Sequence, residues 1–105
     1  MARFDVYANP GARAAATPFL LDVQRDLLDS LDSRVAIPLR DLAAFPQVAL
    51  SKRLTPVLSV DGRALMLETP KMAAVLRRVL GAPVSSLAAD GERITAAVEF
   101  LFRGF

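Results

Sequence analysis

The chain has 105 residues, of which 53% are hydrophobic and 23% charged, and a formal net charge of +2. That balance describes one domain, residues 1–105, able to bury a core, and it excludes a disordered regulator or a strongly basic nucleic-acid binder. With no Cys and no His, disulfides, thiolate chemistry, Cys/His zinc sites and Ser-His-Asp or Cys-His catalysis are excluded, and no cofactor or metal is expected.

Residues 3–8 alternate, with Phe4, Val6 and Ala8 facing one way and Arg3, Asp5 and Tyr7 the other. This predicts a half-buried strand, with Tyr7 on its polar face. Asn9-Pro10-Gly11 is a turn signal, and residues 12–18 read as a loop. Residues 19–28 fit two periods: Leu20, Val23, Leu27 and Leu28 form a helical stripe, whereas Phe19, Leu21 and Val23 form one strand face. Periodicity alone favours helix slightly. Residues 29–33 are turn-like. Residues 34–40 are rich in strand formers, and Pro38 places them at a sheet edge or strand end. A longer connection containing Pro46 follows.

Residues 57–61 and 64–68 flank Asp61-Gly62, the favoured short hairpin turn. Residues 71–80 read as a helix on propensity, with Met72, Val75, Leu76, Val79 and Leu80 on one face. Gly81-Ala82-Pro83 ends it. The last segment is the clearest helix. Asp90 is its N-cap candidate, and Ile94, Ala97, Val98, Leu101 and Phe105 share a face, with Thr95, Glu99 and Phe102 off it.

Candidate chemistry is sparse. Asp22, Asp26, Asp29 and Asp32 are closely spaced, but with no His and no Gly-rich ligand loop they read as a solvated face with turn caps rather than a metal or general-base cluster. Lys52-Arg53 and Arg77-Arg78 either steer an acidic partner or serve solubility. Phe100, Phe102 and Phe105 cluster at the end of the last helix, and the off-stripe Phe102 points to a second buried face, in a dimer or a partner groove. Met1 to Asp5 has an early charge and no apolar run, so no secretory signal is expected, and no stretch reaches the roughly 20 apolar residues of a membrane span. A cytoplasmic protein is the resulting expectation.

Several blocks resemble the CcdB family of type II toxin–antitoxin toxins, which poison DNA gyrase. Arg3-Phe4-Asp5-Val6-Tyr7 resembles that family's first strand. Leu21-Asp22-Val23-Gln24-Arg25-Asp26-Leu27-Leu28-Asp29 is similar to its V-D-V-Q-S-D-I-I-D block, and Val35-Ala36-Ile37-Pro38-Leu39 to its V-I-P-L strand. Leu54-Thr55-Pro56-Val57-Leu58-Ser59-Val60 is similar to L-Y-P-V-V-H-I. Leu101-Phe102-Arg103-Gly104-Phe105 resembles the terminal Phe-Trp-Gly-Ile pattern, with Arg103 in place of Trp.

The resemblance implies a mainly β, α+β fold: an SH3-like, barrel-type antiparallel sheet with a small accessory sheet and one C-terminal α-helix. It makes residues 19–24 a strand and residues 75–80 extended or irregular, against local propensity. It further implies a homodimer without enzymatic activity. The implied gyrase-binding residues are Arg103, Gly104, Phe105 and Glu99, with Leu27 and Leu28 beside them. The implied partners are the DNA gyrase A subunit and a CcdA-like antitoxin, whose disordered segment would wrap the toxin; nucleic acid and membrane are not direct partners. Trapping the gyrase–cleaved DNA complex would block replication and transcription, and such modules serve plasmid maintenance. Two alternatives stay open: a non-toxic or retargeted homologue that only binds its antitoxin, and a MazF/Kid-like endoribonuclease. For the latter, Asn9-Pro10-Gly11-Ala12-Arg13 is a poor match to the Pro-x-Arg-Gly segment.

Overall fold

The computed structural model describes residues 2–26, 30–44 and 51–104. Among the described residues, seven strands form one antiparallel sheet: β1 (Asp5–Ala8), β2 (Phe19–Asp22), β3 (Ser33–Asp41), β4 (Val57–Val60), β5 (Arg63–Leu67), β6 (Ala73–Leu76) and β7 (Ser85–Ser86). The order is β4-β5-β3-β2-β1-β7, with β6 branching from β3. The sheet curls into a nearly closed barrel, and one helix, α1 (Gly91–Arg103), follows it.

The barrel is organised around β3, the longest strand. Its first half, Ser33 to Ala36, pairs with β6, and its last three residues, Leu39 to Asp41, pair with β5. The β3–β6 ladder is the accessory part of the sheet. Pro38 therefore sits inside a central strand, not at an edge. Its carbonyl accepts the Glu68 N–H at 3.0 Å. A strand residue's N–H and C=O point the same way, so the missing proline donor faces the place where β3 changes partner. No ladder hydrogen bond is lost there.

Inside lie Val6, Leu21, Ile37, Leu39, Leu58, Val60, Leu65, Leu67, Leu87, Ile94 and Ala97, all buried. Burying each large aliphatic side chain contributes about 1.5–3 kcal/mol before chain entropy is counted. The β4–β5 hairpin turns on Asp61 and Gly62, both at positive φ (50° and 80°), the type I′ geometry that the Asp-Gly pair favours. In β4 the burial alternates, with Leu58 and Val60 in and Val57 and Ser59 out.

Several local expectations are overturned. Residues 71–80 are not helical: a 3-10 turn (Thr69–Lys71) leads into β6, and a second (Arg77–Val79) follows it. Strand β6 supplies the hydrogen-bond partners for the first half of β3, and Met72 packs against the core. A helix there would leave those β3 groups unpaired, so pairing outweighs propensity. Residues 19–22 are likewise strand rather than helix.

Tyr7 is not on a polar face; it is 1% exposed. Residues Arg77, Arg78, Leu80, Gly81 and Pro83 lie with it around one concavity, so both sides of β1 are covered. Ala8, expected inside, is exposed.

Asp22, expected at the surface, is 1% exposed and is paired with the fully buried Arg34. Arg34 Nε donates to Asp22 Oδ2 at 2.8 Å, and its Nη2 donates to the Gln24 carbonyl at 3.1 Å. The Gln24 N–H donates to Asp22 Oδ1, its Nε2 donates to the Ser33 carbonyl, and its Oε1 accepts the Val35 N–H. A buried pair of this kind is worth little against an apolar pair, but removing one partner strands the other charge. Asp22→Ala is expected to destabilise the protein by about 3–5 kcal/mol in urea unfolding, and adding Arg34→Met is expected to restore much of the loss. A loss under half that size would mean that water reaches Arg34.

Asp41 Oδ2 accepts from Arg63 Nη2 at 2.6 Å, on the outer side of the β3–β5 pair. That bond, helped by the Ala43 N–H, holds the Asp41 carboxyl below its ordinary range. A depressed folded-state value stabilises above the unfolded value and is lost as pH falls through the folded one. In Arg63→Ala, NMR titration is expected to show the Asp41 midpoint moved upward, with the fold intact.

Candidate functional site

Helix α1 forms because Ile94, Ala97, Val98 and Leu101 recur at i, i+3, i+4 and i+7 and turn one stripe onto the barrel. Ile94 and Ala97 are fully buried. At the start, a 3-10 turn (Ala88–Asp90) leads in, Arg93 reaches back to Asp90 at 3.3 Å, and Glu92 lies in the first turn. Asp90 makes no side-chain cap hydrogen bond. At the end, Arg103 lies in the last turn, where the helix dipole favours a cation. Gly104 then closes the helix in the left-handed conformation, φ 78°, with its N–H on the Phe100 carbonyl at 2.9 Å. This is the glycine C-cap, which any L side chain would strain.

Phe4 fixes the start of the helix to the barrel. Phe4 has φ 72°, a left-handed conformation rare for an aromatic residue. It lets the Phe4 N–H donate to the Asp22 carbonyl at 2.7 Å while its own carbonyl accepts the Leu87 N–H at 2.8 Å. Its ring lies against Gly91, where an added Cβ would come within 2.9 Å of Phe4 Cε2. The first residue of α1 is thus held next to the Asp22–Arg34 network.

The outward face of α1 carries the residues singled out in the sequence. Glu99, Arg103 and Gly104 are exposed and share the last turns of the helix. Phe102 is 72% exposed, the most exposed of the large hydrophobic side chains among the described residues. Phe100 is only partly exposed, with the Arg53 guanidinium 4.4 Å over its ring. Leu27, Leu28 and Phe105 lie outside the described residues, as do Asp29 and Pro46. Of the acidic series, Asp26 is largely exposed and accepts the Arg3 N–H at 2.6 Å, Asp32 is exposed, and Asp22 is buried. Among the described residues, no three His, Cys, Asp or Glu side chains are grouped to hold a metal.

Sequence reasoning missed Arg34 and Phe4. The signal for Arg34 was a charge placed directly before the apolar run Val35-Ala36-Ile37 of a strand. Nothing local marks Phe4 as left-handed.

A nearly closed antiparallel barrel with a single C-terminal helix, its end exposed and aromatic, defines a class of small β-barrel proteins that carry a helix-borne tip. The family model for the CcdB protein matches residues 3–104 of this chain, and the chain belongs to the CcdB family. That family comprises toxins of toxin–antitoxin modules that inhibit DNA gyrase. Among the described residues, no helix is long and apolar enough to cross a membrane.

Gly104→Ala is expected to lower stability by about 1 kcal/mol, read as a fall in Tm, because the αL cap penalises a Cβ. An unchanged Tm would mean that the helix ends without that cap in solution.

Proposed function

We propose that this chain is the toxin of a type II module, acting as a homodimer on the gyrase A subunit and trapping the enzyme on cleaved DNA. In this reading Glu99, Arg103, Gly104 and Phe105 form the contact tip, with Leu27 and Leu28 beside it, and a CcdA-like antitoxin neutralises the protein. It works in the cytoplasm, where gyrase acts, and it does not itself bind DNA. The observation that carries the reading is the CcdB family match over residues 3–104. The exposed Phe102 and the glycine-capped helix end support it.

The mechanism is binding, not bond making. A helix end held by a buried stripe and a left-handed cap is pre-ordered, so little chain entropy is lost when it docks. Phe102 offers apolar area that is already solvated and gains by burial. Arg103 changes the chemistry at the tip. Where the family pattern has Trp, an aromatic face would attract a cation by about 0.5–2 kcal/mol, whereas a guanidinium repels one and recruits a carboxylate. That substitution favours a second reading, a relative retargeted to another partner or kept only for its antitoxin.

A supercoiling and cleavage-complex assay with gyrase from the same host separates the two. Protein-linked cleaved DNA is expected, reduced about tenfold or more in Phe102→Ala, since central aromatic contacts dominate such interfaces. Undisturbed supercoiling, with the protein folded and dimeric, would establish the retargeted reading instead.

A further inference from the structure

The outer face of the sheet carries a concavity of about 470 Å³. Its floor is made by Leu20 and Pro38, cross-strand partners in β2 and β3, and by Arg40, two residues on from Pro38. Residues two apart in a strand share a face. These three therefore stand on the side opposite the core residues Leu21, Ile37 and Leu39. The size falls within the range of small-molecule sites, about 300–1,000 Å³. Neither Glu99 nor Arg103 lines it.

Both walls are held by hydrogen bonds to backbone carbonyls. In the loop between β1 and β2, the Asn9 N–H donates to the Pro18 carbonyl at 2.9 Å, Asn9 Nδ2 to the Thr17 carbonyl at 2.8 Å, and the Thr17 N–H to the Arg13 carbonyl at 2.8 Å. The Asp41 N–H on the Ala16 carbonyl, at 2.8 Å, ties that loop to the end of β3. On the other side the Glu68 N–H is on the Pro38 carbonyl at 3.0 Å, and the Lys71 N–H is on the Glu68 carbonyl at 2.9 Å. Walls tied in this way are ordered before a ligand arrives, so binding costs little chain entropy. The charges are unequal: Arg13, Arg40 and Lys71 line the concavity with one carboxylate, Glu68. Glu68 is buried, and Lys71 Nζ, at 3.3 Å, and Arg40 Nη1, at 3.8 Å, both reach its Oε2. One buried carboxylate oxygen thus sets two cations side by side next to an apolar floor, and Arg13 adds a third from the loop.

We propose that this concavity binds a small organic phosphate monoester. Lys71, Arg40 and Arg13 receive its anionic head, and its apolar or aromatic body lies against Leu20 and Pro38. The lining side chains carry a net charge of +2, three cations against Glu68. A phosphate monoester carries close to two negative charges at pH 7 and matches that balance, whereas a single carboxylate answers half of it. The apolar floor gives the organic phosphate its advantage over the free anion. The site is independent of the gyrase reading, because the tip residues of α1 take no part in it.

The probe is phenyl phosphate, titrated to millimolar concentration against the whole protein, with inorganic phosphate and phenol as controls. NMR shifts are expected at the Thr17, Leu20, Arg40 and Lys71 amides with phenyl phosphate, at about tenfold lower affinity with inorganic phosphate, and not with phenol. Lys71 and Arg13 are exposed, so Lys71→Gln and Arg13→Gln keep the fold. Each is expected to weaken binding about tenfold, whereas Lys52→Gln, outside the concavity, is expected to leave it unchanged. Leu20→Ala is expected to narrow the preference for phenyl phosphate over inorganic phosphate. Absence of shifts, or equal weakening in Lys52→Gln, would overturn the proposal. Equal affinity for inorganic phosphate would overturn the organic ligand in favour of the free anion. A single-stranded oligonucleotide without a terminal phosphate that displaces phenyl phosphate from these amides would overturn it in favour of nucleic acid.

Discussion

The Asp22–Arg34 pair is the constraint on which the rest of the molecule hangs. Two charges with 1% and 0% exposure survive inside a small barrel only because every direction around them is answered. Gln24 answers most of them, receiving Arg34 at its carbonyl, giving its N–H to Asp22, and clamping both Ser33 and Val35 through its amide. The turn after β2 is thereby tied to the start of β3. The Asp22 backbone carbonyl extends the same assembly to Phe4, and Phe4 passes it on to Leu87 and Gly91. A continuous path of hydrogen bonds and packing joins the interior of the sheet to the first turn of α1.

That path explains how a 13-residue helix with only Ile94 and Ala97 fully buried keeps a defined direction. Short helices are marginal alone, and their stability comes from docking. Here the start is wedged against a left-handed Phe4 and the end is closed by a left-handed Gly104. What remains outward is chemically mixed: exposed Phe102, the Arg53–Phe100 stack, and the charges of Glu99 and Arg103. A rigid support with an adaptable, charged rim is what selective protein docking requires. Arg103 adds a cation to the last turn of the helix.

The parts legible in the sequence are those decided within a few residues. Asp61-Gly62 specified its hairpin because only a left-handed pair fits that turn, and the 3.6 period of Ile94, Ala97, Val98 and Leu101 specified α1. Phe102 lies off the apolar stripe of that period, and its side chain is exposed. What failed was decided by distant partners. Residues 73–76 have helical propensity, yet β3 needed a strand on that side. Asp22 looks solvent-facing until Arg34, twelve residues away, is placed against it. Tyr7 looks outward until the chain returns over it at Arg77 to Pro83. Pro38 signals an edge only if a strand keeps one neighbour along its length, and β3 does not.

The central claim is that the buried network and the tip-bearing helix form one cooperative body. Native-state hydrogen exchange tests it most directly, comparing the natural protein with Asp22→Asn at the amides of Val35, Ile94 and Ala97. The account predicts that protection falls by the same factor at all three. Loss of protection at Val35 with Ile94 and Ala97 unchanged would contradict it, because the helix would then hold its place without the network.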